Sequence, residues 1–238
     1  MSPATPPEPG GYELRISERA RRARISVDAH GRVSVVVPRG FDPALANEMV
    51  AQRAEWISSA RRRMAARYPG SGQTAPPTGL HLPATGESFR IESGGTGRGP
   101  LVRPAGEGLL LVRGAEEDPD IARKALLTWL AGHLRPWAEA RLLAIGEPHG
   151  LAPSKVALRS QRTRWGSCSA KGVISVNVRT AFLEARLADY VLAHELAHLA
   201  EMNHAPGFCR RLEEIMPGAA GLDRELSRAG RTLPGWLL

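Results

Sequence analysis

Residues 189–208, DYVLAHELAHLAEMNHAPGF, constrain this chain more than any other segment, because they carry three imidazoles in a spacing that one unbroken helix cannot use. His194 and His198 are four residues apart and so lie one turn apart on the same helical face. His204 follows six residues later and would point elsewhere on the cylinder if the helix ran on. For all three rings to meet, the chain must turn back after about Ala200. Asn203 tolerates a left-handed cap and Pro206 suits the first turn of a new helix, so a break is expected between them. Val191, Leu192, Leu196 and Leu199 already supply an apolar stripe, and stacked imidazoles add nothing to packing that they do not cost in hydrogen bonds.

Histidines at i and i+4 form a two-toothed clamp for a metal ion. A catalytic zinc takes three protein ligands and leaves a fourth position for water, so His194, His198 and His204 are read as ligands of one Zn2+ per chain, other divalent metals being possible. Glu195, directly after the first histidine, falls beside the ion rather than on it, where it can act as general base towards the activated water. A peptide, amide or phosphoanhydride bond could be split by such a centre.

A second polar segment, QRTRWGSCSAKG (161–172), lies between two expected strands at 155–160 and 173–178. Arg162, Arg164, Trp165 and Ser167 are read as substrate-binding residues: arginine for a carboxylate, phosphate or oxyanion, tryptophan as a wall of the cleft. The competing reading is a tight turn around a buried tryptophan. Cys168 and Cys209 are read as small buried hydrophobes, because nothing beside them in sequence activates a thiol. Tyr190, one turn before His194, is expected in the core or at the site rim, while Asp223 and Glu225 are acidic candidates for orienting an imidazole.

The rest of the chain reads as α+β. A Pro-rich tail covers 1–10, and a β-rich lobe follows over 11–115. In it, 12–17 and 22–38 alternate as strands around a turn at His30-Gly31. One helix is expected over 43–67, capped by Asp42, with Leu45, Met49, Trp56 and Ile57 roughly on one side. A loop fills 69–79, and short strands near 80–83, 87–92, 100–104 and 108–113 suggest antiparallel hairpins. Residues 116–238 form a mainly helical lobe: a long helix over 119–146, opened by Asp118 and kinked at Pro136, then helices at 183–201, 206–216 and 218–229.

The formal charge of +8 invites a nucleic-acid reading. Lysine occurs only at 124, 155 and 171, however, leaving 29 of 32 basic residues as arginine, a skew that coding bias also produces. Aromatics do not interleave with the basic runs, so no stacking platform is visible in the sequence. The triple arginine 61–63 reads as a solvated helix end. No apolar run reaches the ~20 residues of a membrane span, and the first residues have no basic cluster or apolar stretch of a leader, so no membrane partner is expected. Two cysteines are too few for a disulfide framework, and a cytoplasmic location is the default.

Together, TRWGSCSAKGVISVN (163–177) and HELAHLAEMNHAPGF (194–208) resemble the YgjP-like metallopeptidase-domain family, which is similar to the SprT-like and WLM zinc proteases. The early RRARISVDAHGRVSVVVPRG and the helix with RAEWI (53–57) extend the resemblance over nearly the whole chain. It implies a zincin-like C-terminal lobe in which a small antiparallel sheet packs on the metal helix and all three histidines bind zinc. The HExxHxxGxxH pattern has the same ligand spacing, but Glu201 stands here in place of its glycine, so the turn cannot rely on glycine. The leading expectation is a zinc metallopeptidase-type hydrolase acting on a protein or peptide. The alternatives are a nucleoside triphosphate pyrophosphatase, an activity the family resemblance also implies, and a SprT-like protease associated with DNA.

Overall fold

In the computed structural model, residues 11–68, 77–94, 101–113, 119–161 and 163–237 are described. The expected tail, most of the 69–79 loop, Asp118 and Arg162 lie outside them. The chain divides into two compact units, 1–73 with 231–236 and 238, and 74–230 with 237. The compositional shift seen near residue 115 is thus a change within the larger unit, where strands give way to helices.

In the first unit the strands β1 (Tyr12–Ile16), β2 (Arg24–Val27) and β3 (Val33–Val37) form a sheet in the order β1-β3-β2. β2 and β3 make the expected hairpin. Its turn is held by Asp28, whose carboxylate accepts the backbone N–H groups of His30 and Arg32, and Gly31 takes the positive φ of 75° that the turn requires. β1 pairs with β3 in parallel. Val33, Val35 and Val37 alternate into the core, where Val35 and Val37 meet Ala46.

The single helix expected over 43–67 is two: α1 (Pro43–Gln52) and α2 (Ala54–Arg67), separated at Arg53. Asp42 caps α1 as expected, accepting the N–H of Ala44. Ile57 and Ala60 are buried in register with Ala46 on α1, while Leu45 and Trp56, expected on the same apolar side, lie beside that stripe and are 45% and 42% exposed.

The second unit opens with β4 (Gly79–Leu82), β5 (Glu87–Ser93), β6 (Leu101–Pro104) and β7 (Leu109–Arg113) in the order β4-β5-β7-β6. Two of its pairings are antiparallel, but β5 and β7 run in parallel, which simple consecutive hairpins would not produce. α3 (Pro119–His133) packs on this sheet through β6 and β7. The long helix expected over 119–146 breaks at Leu134, and α4 (Arg135–Gly146) restarts with Pro136 in its first turn.

A third sheet, β8 (Lys155–Arg159), β9 (Gly166–Cys168) and β10 (Val173–Asn177), has the order β8-β10-β9. It is mixed: β10 pairs with β8 in parallel and with the short edge strand β9 in antiparallel fashion. Against it lies α5 (Ala185–Ala197), followed by α6 (Pro206–Ile215) and α7 (Leu222–Ala229). α5 packs on α4, α6, α7 and β9, and is buried on most sides, with Ala188, Leu192, Ala193, Leu196 and Ala197 wholly inaccessible. The α+β layout read from the sequence holds.

Leu192→Ala would leave a cavity beneath the helix that positions the histidines. The expected cost is about 2–5 kcal/mol in chemical denaturation; a loss below about 1 kcal/mol would show that α5 is not the centre of this core.

Candidate metal centre

The helix-break is built without glycine. α5 ends at Ala197 with His198 as its C-cap, slightly earlier than expected. Leu199 and Ala200 donate to the carbonyls of Leu196 and Ala197, tightening the last turn, and Glu201 N–H also donates to Ala197. Asn203 does not take the left-handed conformation expected of it, since no non-glycine residue among those described has positive φ. Its side-chain oxygen instead accepts the N–H of Ala205, the residue that caps α6, and Pro206 occupies the first turn as expected.

This turn brings the three imidazoles together. One ring nitrogen from each of His194, His198 and His204 lies within 4.8 Å of the others, and the Nε2 atoms of His194 and His204 are 3.2 Å apart. His198 Nδ1 is 3.0 Å from the Glu201 carbonyl oxygen, which can only accept, so Nδ1 carries the proton and Nε2 keeps its lone pair. Glu201 thus serves the site through its backbone. Its side chain lies against Gly207, where an added Cβ would sit 3.1 Å from Oε1.

Phe208, 3% exposed, touches all three rings, with centroids 4.8, 4.5 and 4.7 Å from those of His194, His198 and His204. Burial is the main reason that His194 is pushed down to about 4, with repulsion from the other two imidazoles adding to it. His198 is lowered chiefly by burial as well. Neutral imidazoles at working pH are the form that binds a metal.

Glu195 is 5% exposed, and its Oε2 has no hydrogen-bond partner among the described residues. Burial pushes its carboxyl up to about 7, against a smaller opposing pull from the Arg164 charge. The opposite wall is β9: a Cβ added to Gly166 would meet Glu195 Oε1 at 2.5 Å and Cγ at 2.7 Å, so only glycine lets the strand approach the carboxylate this closely.

These groups open on a cleft of about 510 Å3 that Arg164, Trp165, Ser167, Tyr190 and Asp223 also line. Gln161 and Arg164 are held through their carbonyls. Asn177, 1% exposed, donates its amide to the carbonyls of Gln161 and Arg164 and accepts the N–H of Arg179. The Arg179 guanidinium stacks at 5.5 Å on Trp165, whose far edge meets Gly230. Trp165 therefore lines the cleft and is at the same time a packed anchor.

Other expectations divide. Tyr190 is 5% exposed and also borders the cleft. Glu225 faces Arg186 at 3.9 Å. Cys168 lines the cleft with its thiol raised by burial and then by Glu195. Cys209, expected inside, is exposed, because its position on α6 faces away from Phe208, Leu212 and Ile215. Gly166, Phe208, Asn177 and Arg179 were not legible as site residues. Phe208 stood within the quoted motif, but nothing in its spacing tied it to the rings.

The model of the YgjP-like metallopeptidase domain matches residues 21–229. The chain belongs to this family. Among solved structures, the crystal structure of the metallopeptidase zymogen of Pyrococcus abyssi abylysin aligns with 28% identity and a TM-score of 0.36, covering 40% of this chain and 98% of that one. No curated protein matches. As a YgjP-like metallopeptidase-domain protein, the chain is a metal-dependent hydrolase of peptidase type. No helix among its described residues is long and apolar enough to cross a membrane.

Without metal, the Glu195 carboxyl titrates at about 7 in the folded chain against an ordinary 4.5. Its folded pKa is raised, so its contribution is fully present below pH 4.5 and is lost as pH rises through 7, where folding must bury a charge. Between pH 5 and 8 the metal-stripped wild type should lose on the order of 2 kcal/mol relative to Glu195→Gln. Parallel pH profiles for the two proteins in chemical denaturation would refute the raised pKa.

Proposed function

We propose that this YgjP-like protein is a zinc metallopeptidase that cleaves peptide bonds in the cleft between α5 and β9. The observation that carries the reading is the pairing of three converging imidazoles with a buried, unpartnered carboxylate oxygen on the same helix. The donor set fits a divalent cation. His194 and His204 bring two ring nitrogens to 3.2 Å of each other, close enough to share one ion, and His198 has its other nitrogen already oriented by a carbonyl. Three imidazoles without a thiolate or second carboxylate suit zinc, with His194, His198 and His204 as its ligands.

Zinc held there would supply Lewis acidity and lower the pKa of a ligated water from ~15.7 towards ~7. The protein supplies the rest. Glu195 Oε2 takes the proton of the attacking water and returns it to the leaving amine; a carboxyl poised near neutrality is suited to both transfers. Arg164, fixed through its carbonyl by Asn177, presents its positive charge beside the carboxylate, where it orients the substrate carbonyl. Trp165 and Ser167 border the scissile bond, and Arg162 belongs to the same segment. β9 pairs only with β10 among the described strands, which supports an extended peptide as the substrate lying along its other edge. The free thiols Cys168 and Cys209 support a reducing, cytoplasmic setting.

The test uses purified protein with zinc and an unfolded protein substrate. Cleavage should stop with a chelator and return with added zinc. Glu195→Gln should retain metal and lose turnover by about 10²–10⁴-fold. Gly166→Ala, which must displace the Glu195 side chain, should retain metal and lose at least ~10-fold. Release of pyrophosphate from nucleoside triphosphates, without peptide cleavage, would overturn the peptidase reading.

A further inference from the structure

The excess positive charge is not spread along the chain. Residues 11–68 contain 12 arginines, no lysine and 6 carboxylates, a surplus of 6 out of the formal total of +8. This stretch falls in the first compact unit, and the residues of the metal centre all belong to the second. Within the unit, a groove of about 350 Å3 lies between β2 and the α1–α2 break, lined by Arg24, Ile25, Met49, Arg53 and Trp56 among others. Among the described residues no carboxylate stands within ion-pair distance of Arg24 or Arg53. Trp56 is 42% exposed, lying to the side of the buried stripe of Ile57 and Ala60 on α2.

The folded chain therefore interleaves what the linear sequence keeps apart. Arg24 comes from a strand, Arg53 from the helix break and the indole from the first turn of α2. An exposed indole with apolar neighbours and flanked by two guanidinium groups matches a nucleobase and its adjoining phosphates: the ring stacks on a π-face and the arginines neutralise the backbone. Further cations extend the basic surface along α2. Among the described residues, Arg62 and Arg63 hydrogen-bond only to Ser58 and Ser59, and Arg61 to the Gly31 carbonyl, so their positive charges are not neutralised by these contacts.

We propose that this groove binds single-stranded nucleic acid, with one base on Trp56 and the neighbouring phosphates on Arg24 and Arg53. A duplex keeps its bases stacked and cannot offer a free ring to the indole. An acidic peptide would satisfy the arginines but leave the Trp56 face and the Met49 and Ile25 side chains without a planar partner.

The experiment is fluorescence anisotropy of a labelled oligodeoxythymidine with the full chain, at several salt concentrations. The expected result is salt-sensitive binding that Trp56→Ala weakens about tenfold and Trp56→Phe largely restores. Arg24→Gln combined with Arg53→Gln should reduce the slope of log K against log salt by about 1.4, the value for two lost phosphate contacts on a single strand. Because Trp56 is half exposed, its variants should keep the wild-type circular dichroism melt; the arginine pair provides an independent arm should Trp56→Ala fold poorly. Wild-type affinity in Trp56→Ala with an unchanged salt slope in the double arginine variant would overturn the proposal. Equal or tighter binding of a matched duplex, or displacement of the oligonucleotide by poly-glutamate at equal charge, would overturn it too.

Discussion

The hydrogen bond from His198 Nδ1 to the Glu201 carbonyl is the constraint on which the site rests. It is made possible by ending α5 at Ala197, and it fixes both the orientation of the second imidazole and the direction in which the chain leaves the helix. Only that exit returns His204 to the other two rings. A single donated proton therefore links the break in the helix to the tautomer that would leave Nε2 free for a metal, and the carbonyl doing this belongs to the residue that stands where related patterns have glycine. The turn manages without glycine because all its non-glycine residues remain at negative φ, and Asn203 uses its side chain to satisfy Ala205.

Around this turn the protein places polar chemistry in an apolar setting. Phe208 packs against the three rings, burial lowers His194 and His198, and burial holds Glu195 near neutrality. Such a carboxyl is costly to the fold, and among the described residues no hydrogen bond offsets it at Oε2. The opposite wall is brought in by the absence of a side chain at Gly166 and is held by Asn177 and Arg179 from behind. Helix and strand approach each other at the carboxylate, with the cleft opening beside it.

Much of this was legible in the sequence where a residue's role follows from local spacing. His194, Glu195 and His198 are on one helix, and Asp42, Pro206 and the His30-Gly31 turn act within a few residues of themselves. Roles that depend on the meeting of distant segments were not legible. Gly166 reads as an ordinary turn residue until α5 is placed against it, and Asn177 reads as the end of a strand until the 161–165 segment crosses it. The parallel pairings of β1 with β3, β5 with β7 and β8 with β10 likewise depend on connections whose path no local pattern specifies. Trp56 was placed on the wrong side because it neighbours Ile57 and so lies about 100° round the helix from the buried stripe, and the break at Arg53, without proline or glycine, leaves no mark in composition.

The central claim is that three imidazoles share one ion. Elemental analysis of purified protein, wild type beside His204→Ala, tests it most directly, because His204 alone depends on the turn to reach the site. The account predicts about one zinc per wild-type chain and little in the variant, with the variant's fold intact by circular dichroism. Equal metal content in the two proteins would contradict it.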